Sequence, residues 1–108
     1  MTVTELAAAC GFTPIHIADE TAPIKGAYAC DLLSWVIGRA EEGAALVTVM
    51  TNVNVIAVSV MAELPCVVLC ESVTPDEVTL QKARDQGVSI LSSSKPTYET
   101  CLAIGKVL

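Results

Sequence analysis

Apolar and polar positions alternate along the chain in blocks whose period switches between two and about 3.6. Thr2-Val3-Thr4-Glu5 has the spacing of a capping box, so the pattern predicts a short helix through Leu6 to Cys10, ended by Gly11. Thr13 to Ile17 reads as a strand, followed by a polar turn at Asp19-Glu20-Thr21 and Pro23. Ile24 to Ala29 reads as a second short strand, and Asp31 stands where a helix N-cap belongs. From Leu32 to Glu42, the residues Leu32, Leu33, Val36, Ile37 and Ala40 fall on one helical stripe. Trp35 lies about 130° from the centre of that stripe, with Gly38 on the same outer side. A large aromatic beside a helix-interior glycine reads as a subunit contact; the alternative is that Trp35 covers its own domain's edge.

Ala44 to Thr51 is an apolar, β-branched run of the kind found in central strands. After the polar turn Thr51-Asn52-Val53-Asn54, the segment Val55 to Glu63 is a helix apolar on nearly every side. Such a helix has to be covered all round. A second copy is therefore expected on one face, with Val55, Val58 and Met61 as contacts alongside Trp35 and Gly38. Cys66 to Cys70 is another continuous apolar strand. Thr74-Pro75-Asp76-Glu77 combines a capping box with proline at the first helical position, and the helix runs to Gln86 with Gly87 as its cap. Val88 to Leu91 is the last strand, Ser92 to Lys95 a loop, and Pro96 opens a final helix with Tyr98, Cys101, Leu102 and Gly105 inward. Alternating strands and helices with short connections predict a three-layer α/β/α sandwich with a mainly parallel sheet, formed by residues 1–108 as one domain.

Composition sharpens this picture in two ways. Hydrophobic residues make up 53% of the 108 and charged residues 17%, apolar for so short a chain, which adds to the expectation of a homodimer. Twelve acidic against six basic residues give a net charge of −6, and the basic ones are scattered. Neither nucleic acid nor an anionic membrane is an expected partner. Residues 43 to 62 are uncharged, but Thr48, Thr51, Asn52, Asn54 and Ser59 interrupt them, so strand, turn and buried helix are expected there rather than a membrane span. The start of the chain lacks the pattern of a signal peptide, and a cytoplasmic location is expected.

Five cysteines, Cys10, Cys30, Cys66, Cys70 and Cys101, contain no C-x-x-C pair and read as small buried hydrophobes. Cys66 and Cys70 in one strand would stand about 13 Å apart, too far to share a metal. The single histidine, His16, reads as a satisfied structural residue, so no metal site and no cofactor are expected.

Chemistry, if present, belongs at the carboxyl ends of the strands near helix N-termini. Three such ends are polar: Asp31 with Ser34; Thr51, Asn52 and Asn54; and Ser92, Ser93, Ser94 and Lys95 with Thr97. Backbone N–H groups, hydroxyls and Lys95 could hold a phosphate or carboxylate, while ordinary capping explains the same residue types. There is no G-x-x-x-x-G-K-[ST], no G-x-G-x-x-G and no G-x-S-x-G. The acid pairs Asp19-Glu20, Glu41-Glu42 and Asp76-Glu77 sit in turns or at helix ends. The residues therefore favour a non-catalytic regulatory or ligand-sensing homodimer. A separate enzyme or signalling protein is a further possible partner, and a small thiol-dependent enzyme or metal/redox carrier is the alternative.

Several short runs carry a family resemblance. Gly26-Ala27-Tyr28-Ala29-Cys30-Asp31-Leu32-Leu33-Ser34-Trp35-Val36, Thr51-Asn52-Val53-Asn54-Val55-Ile56-Ala57-Val58, the Pro75-Asp76 helix start and Ser93-Ser94-Lys95-Pro96-Thr97-Tyr98-Glu99-Thr100 resemble DRTGG-domain proteins. The namesake Asp-Arg-Thr-Gly-Gly string is absent, and Thr51-Asn52-Val53-Asn54 stands in its region. The resemblance implies a regulatory or dimerisation module similar to those beside CBS domains in regulated pyrophosphatases and in some phosphotransacetylases. It also implies a fold like the N-terminal, non-kinase domain of HPr kinase/phosphorylase, without the kinase half.

Overall fold

The computed structural model describes all 108 residues. Five strands, β1 (Thr13–His16), β2 (Gly26–Ala29), β3 (Ala44–Thr48), β4 (Cys66–Leu69) and β5 (Ser89–Ser92), form one sheet in the order β1-β5-β4-β3-β2. β2, β3, β4 and β5 run parallel, and β1 joins the β5 edge antiparallel. Helices α1 (Val3–Cys10) and α5 (Thr97–Val107) cover one face; α2 (Leu33–Arg39), α3 (Asn54–Met61) and α4 (Glu77–Gln86) cover the other. This is the predicted three-layer α/β/α sandwich with a mainly parallel sheet. No helix is long and apolar enough to cross a membrane, and residues 43 to 62 form strand, turn and helix.

Every residue of β3 and β4 is buried, because helices lie on both faces of the sheet. Ala45, Val47, Cys66 and Val68 face α1 and α5, while Ala44, Leu46, Val67 and Leu69 face the crossover helices. At the end of α4, Gly87 adopts φ 73°, and its N–H donates to the carbonyl of Ala83. The left-handed turn that this requires is open to glycine and costly for most other residues.

Local signals set several boundaries differently from the sequence pattern. α1 has the predicted capping box, with the Thr2 hydroxyl accepting from the Glu5 N–H and the Glu5 carboxylate accepting from the Thr2 N–H. α4 instead starts two residues late. Asp76, not Thr74, is its cap, accepting from the Thr79 N–H at 2.7 Å. Asp31 does not cap α2, because its carboxylate turns across to β3; Leu32 holds the cap position without a side-chain bond. α2 buries only Val36, leaving Leu32 and Ile37 exposed.

The inner stripe of α5 is also corrected. Thr100 and Ile104 are buried, while Tyr98 and Leu102 face outward. The rotation is fixed by Thr100, whose hydroxyl bonds Ser93 Oγ at 2.8 Å and the Lys95 carbonyl at 3.2 Å. His16 is not satisfied either: its Nε2 is buried with no hydrogen-bond partner.

Two outcomes test this account. Leu46→Ala, which opens a cavity in a fully buried position, should lower unfolding stability by about 2–5 kcal/mol in urea titrations. The second concerns acid. The N–H of Thr79 holds the Asp76 carboxyl below its ordinary range, and the N–H of Thr2 does the same for Glu5. Folding therefore favours their ionised forms. That stability is present above the unfolded-state values of about 4 and is lost as pH falls through the lower folded-state values. Urea midpoints should decline with acidification in that window, and Asp76→Ala should flatten the decline.

Candidate functional site

Four parallel strands deliver their carboxyl ends to one rim of the sheet: Asp31 after β2, Thr51 to Asn54 after β3, Glu71 and Ser72 after β4, and Ser92 to Thr97 around the end of β5. The structure thus brings the three predicted polar segments to the same side. It also divides them by role. Asp31 Oδ1 accepts from the Thr48 hydroxyl at 2.7 Å and from the Val49 N–H at 3.0 Å, and Thr48 Oγ1 accepts from the Met50 N–H at 3.2 Å. Asn52 Oδ1 accepts from the Asn54 N–H at 2.9 Å. Ser93 is buried, bonds Thr100 and accepts from the Lys95 N–H at 3.2 Å. These three shape the rim. Asn54, Ser94 and Lys95 are exposed on it, Thr51, Ser92 and Thr97 are half-buried, and Ser92 belongs to β5 rather than to the loop.

Several rim residues carry no warning in the sequence. Glu71 and Ser72 take left-handed backbone angles, φ 61° and 57°. They are held there by N–H bonds to the carbonyls of Lys95 and Ser93, both at 3.0 Å. Such conformations cost about 1 kcal/mol or more for a residue with a side chain, so the two loops are locked together against local preference. Thr79, on α4, donates to the Thr51 carbonyl at 2.9 Å and ties the β3 loop to that helix. These links depend on residues distant in the chain, which no local motif encodes.

α2, α3 and α5 all open at this rim without a side-chain cap. In α3 the first-turn N–H groups of Asn54, Val55 and Ile56 already bond Asn52 or Val53. The first main-chain bond of α5 is the Thr100 N–H to the Pro96 carbonyl, which leaves its opening turn available to an acceptor. Lys95 is the one basic residue on the rim, which also carries Asp31, Glu71 and Glu99.

The larger recesses lie elsewhere. One of about 380 Å³ runs along α5 from Tyr98 to Lys106, and a smaller one of about 290 Å³ sits beside β2, between Lys25, Tyr28, Arg39 and Glu42. A groove of about 500 Å³ along α4 reaches the rim only at Val53.

The other predicted residues are placed as follows. Val55 and Val58 are buried in the chain's own core and so are not surface for a partner; α3 spends those side chains on β3 and β4. Met61, at the end of the same helix, is 65% exposed, and Trp35 is 51% exposed with the Arg39 guanidinium 4.0 Å over its ring. Open space surrounds the position a side chain would take at Gly38. All five cysteines are free. Burial pushes the Cys66 thiol up to about 12 and raises Cys10 and Cys101 as well, which disfavours the thiolate that thiol chemistry requires.

Residues 29–107 match the DRTGG domain family. The fold is similar to a solved structure described as the CBS and DRTGG domains of the regulatory region of Clostridium perfringens pyrophosphatase, complexed with activator, diadenosine tetraphosphate. The TM-score is 0.76 at 9% identity, with 95% of this chain covered. The chain spans 45% of the length of that solved chain. No curated protein matches the sequence.

The Asp31 bridge gives a direct test of how the rim is held. Asp31→Ala, which orphans the Thr48 hydroxyl and the Val49 N–H, should cost about 1–3 kcal/mol in urea titrations. Asp31→Asn, which keeps an accepting oxygen, should recover most of it.

Proposed function

This chain belongs to the DRTGG-domain family, and on that premise we propose that it is a non-catalytic regulatory module that senses a small anionic ligand as a homodimer. The ligand class we favour is a nucleotide or a similar phosphorylated metabolite. The observation that carries the reading is the uncapped opening turn of α5 beside Lys95, on a rim locked by the Glu71–Lys95 and Ser72–Ser93 bonds. Exposed N–H groups at a helix start attract phosphate oxygens, and Lys95 adds a charge without any need for a catalytic group. Asn54 and Ser94 would contribute further polar contacts, and Thr97 would offer a hydroxyl at the start of the helix. The solved relative's complex with diadenosine tetraphosphate supports the choice of ligand class.

Residues 1–108 would act as one unit, in the cytoplasm, where five unpaired thiols are at home. The raised thiols weigh against the rival reading of a thiol-dependent enzyme.

Thermal-shift titration with diadenosine tetraphosphate, ATP and inorganic phosphate tests the proposal. At least one nucleotide should raise the melting temperature in a saturable way. Lys95→Ala combined with Asn54→Ala should abolish that rise while leaving the melting temperature of the free protein within a few degrees. No shift with any of the three would count against ligand sensing at this rim.

A further inference from the structure

At the end of the sheet opposite the rim, four ionic side chains from separate stretches of the chain close on the recess of about 290 Å³ beside β2. Lys25 enters from just before β2, Arg39 from the last turn of α2, and Glu41 and Glu42 from the loop into β3. Two of the chain's six basic residues thus meet two of its twelve acidic ones. The one pairing among them is Lys25 Nζ to Glu42 Oε1 at 4.0 Å, with the two side chains 62% and 68% exposed. A contact that long and that wet contributes little, so all four charges stay available.

The backbone holds these groups in place. Gly43 takes φ 85°, and a side chain there would strike Lys25 Cδ at 2.7 Å, so glycine lets the lysine stem lie against the main chain. The Lys25 N–H donates to the Gly43 carbonyl at 2.9 Å and anchors the same residue through its backbone. Arg39 is held by its stack on Trp35, 4.0 Å from the guanidinium carbon to the ring centroid. Stacking covers one face of the guanidinium and leaves its in-plane N–H groups free, the edge that binds a carboxylate through two hydrogen bonds. Gly26 and Tyr28 share one face of β2. The Tyr28 ring packs on the core beneath α2, and the missing side chain at Gly26 leaves open space beside it.

We propose that this recess binds a small zwitterion of the α-amino-acid class, at a site separate from the rim. An anion alone would meet Glu41 and Glu42, and a cation alone would meet Lys25 and Arg39. A ligand carrying both charges a few bonds apart satisfies both pairs. Its carboxylate bonds Arg39 and Lys25, and its ammonium group bonds Glu41 and Glu42. The volume stands at the lower end of the roughly 300–1,000 Å³ usual for small-molecule sites, which suits an amino acid rather than a dinucleotide. Ala27 and Ala44 are part of the lining, which favours a short aliphatic side chain on the ligand. The inference depends on neither nucleotide sensing nor the homodimer.

Calorimetric titration with glycine, L-alanine, L-serine and L-valine up to about 10 mM tests the site. At least one should bind saturably, while propionate and ethylamine, each carrying half of the charge pair, should not. Trp35 is the only tryptophan, so the ligand that draws on Arg39 should also change intrinsic fluorescence with the same Kd. Arg39→Gln and Glu42→Gln, both at exposed positions, should each raise the calorimetric Kd at least about tenfold while the melting temperature stays within a few degrees. Gly26→Leu, which fills the recess without meeting another atom of the chain at Cβ, should abolish binding in a folded protein. No binding by any of the four amino acids would overturn the proposal. So would binding that all three variants leave intact, or propionate binding as tightly as the amino acids.

Discussion

Everything in this fold depends on burying the middle of the sheet from both sides. β3 and β4 expose no residue, and their side chains alternate between two apolar clusters of nearly equal size, 13 residues against 12. Neither cluster is closed by the sheet alone. One needs α2, α3 and α4, which the right-handed crossover rule lays on a single face as the strands advance from β2 to β5. The other needs α1 and α5 from the two ends of the chain. Coverage thins toward β2, where Ala27 and Ala29 stay exposed and α2 buries only Val36. The apolar excess of the composition therefore goes to two faces, with a remainder exposed around α2 and on the outer sides of α3, α4 and α5.

The same arrangement decides where a ligand could meet the chain. Parallel strands place four connections on one rim, and the rim is stiffened by hydrogen bonds between segments far apart in sequence. Asp31 gives up a capping role to bridge to β3, and Ser93 gives up exposure to fix α5. What remains free is a short row of exposed polar groups ending at Lys95 and the start of α5. A site made this way offers fixed backbone dipoles rather than flexible charged side chains, the means by which a helix start holds an anion.

Much of this was legible in the sequence. Periodicity located all five strands and five helices, because continuous apolar runs and the caps at Thr2, Gly11 and Gly87 are local signals. The resemblance carried by the runs around Gly26, Thr51 and Ser93 pointed to the right family. What failed was the rotation of helices. Tyr98 and Leu102 look as much like core as Thr100 does not, yet a threonine with two partners in the preceding loop outweighs them. Val55 and Val58 were misjudged for a related reason: an eight-residue helix between two others can be covered within its own chain. The left-handed pair Glu71 and Ser72 leaves no trace in composition, since its cause is a bond to residues after β5.

The antiparallel strand β1 has a consequence for how the chain comes together. Thr13 pairs with Ser92, so the N-terminal strand finds its place only after the last strand exists. α1 likewise waits for α5, its neighbour on the same face. The β2-to-β5 unit can zip up through successive local crossovers, while the N-terminal segment pays a long loop closure and docks last. During synthesis its Val3, Leu6 and Phe12 are made before the rest of this domain and are among the last of its apolar side chains to be sheltered.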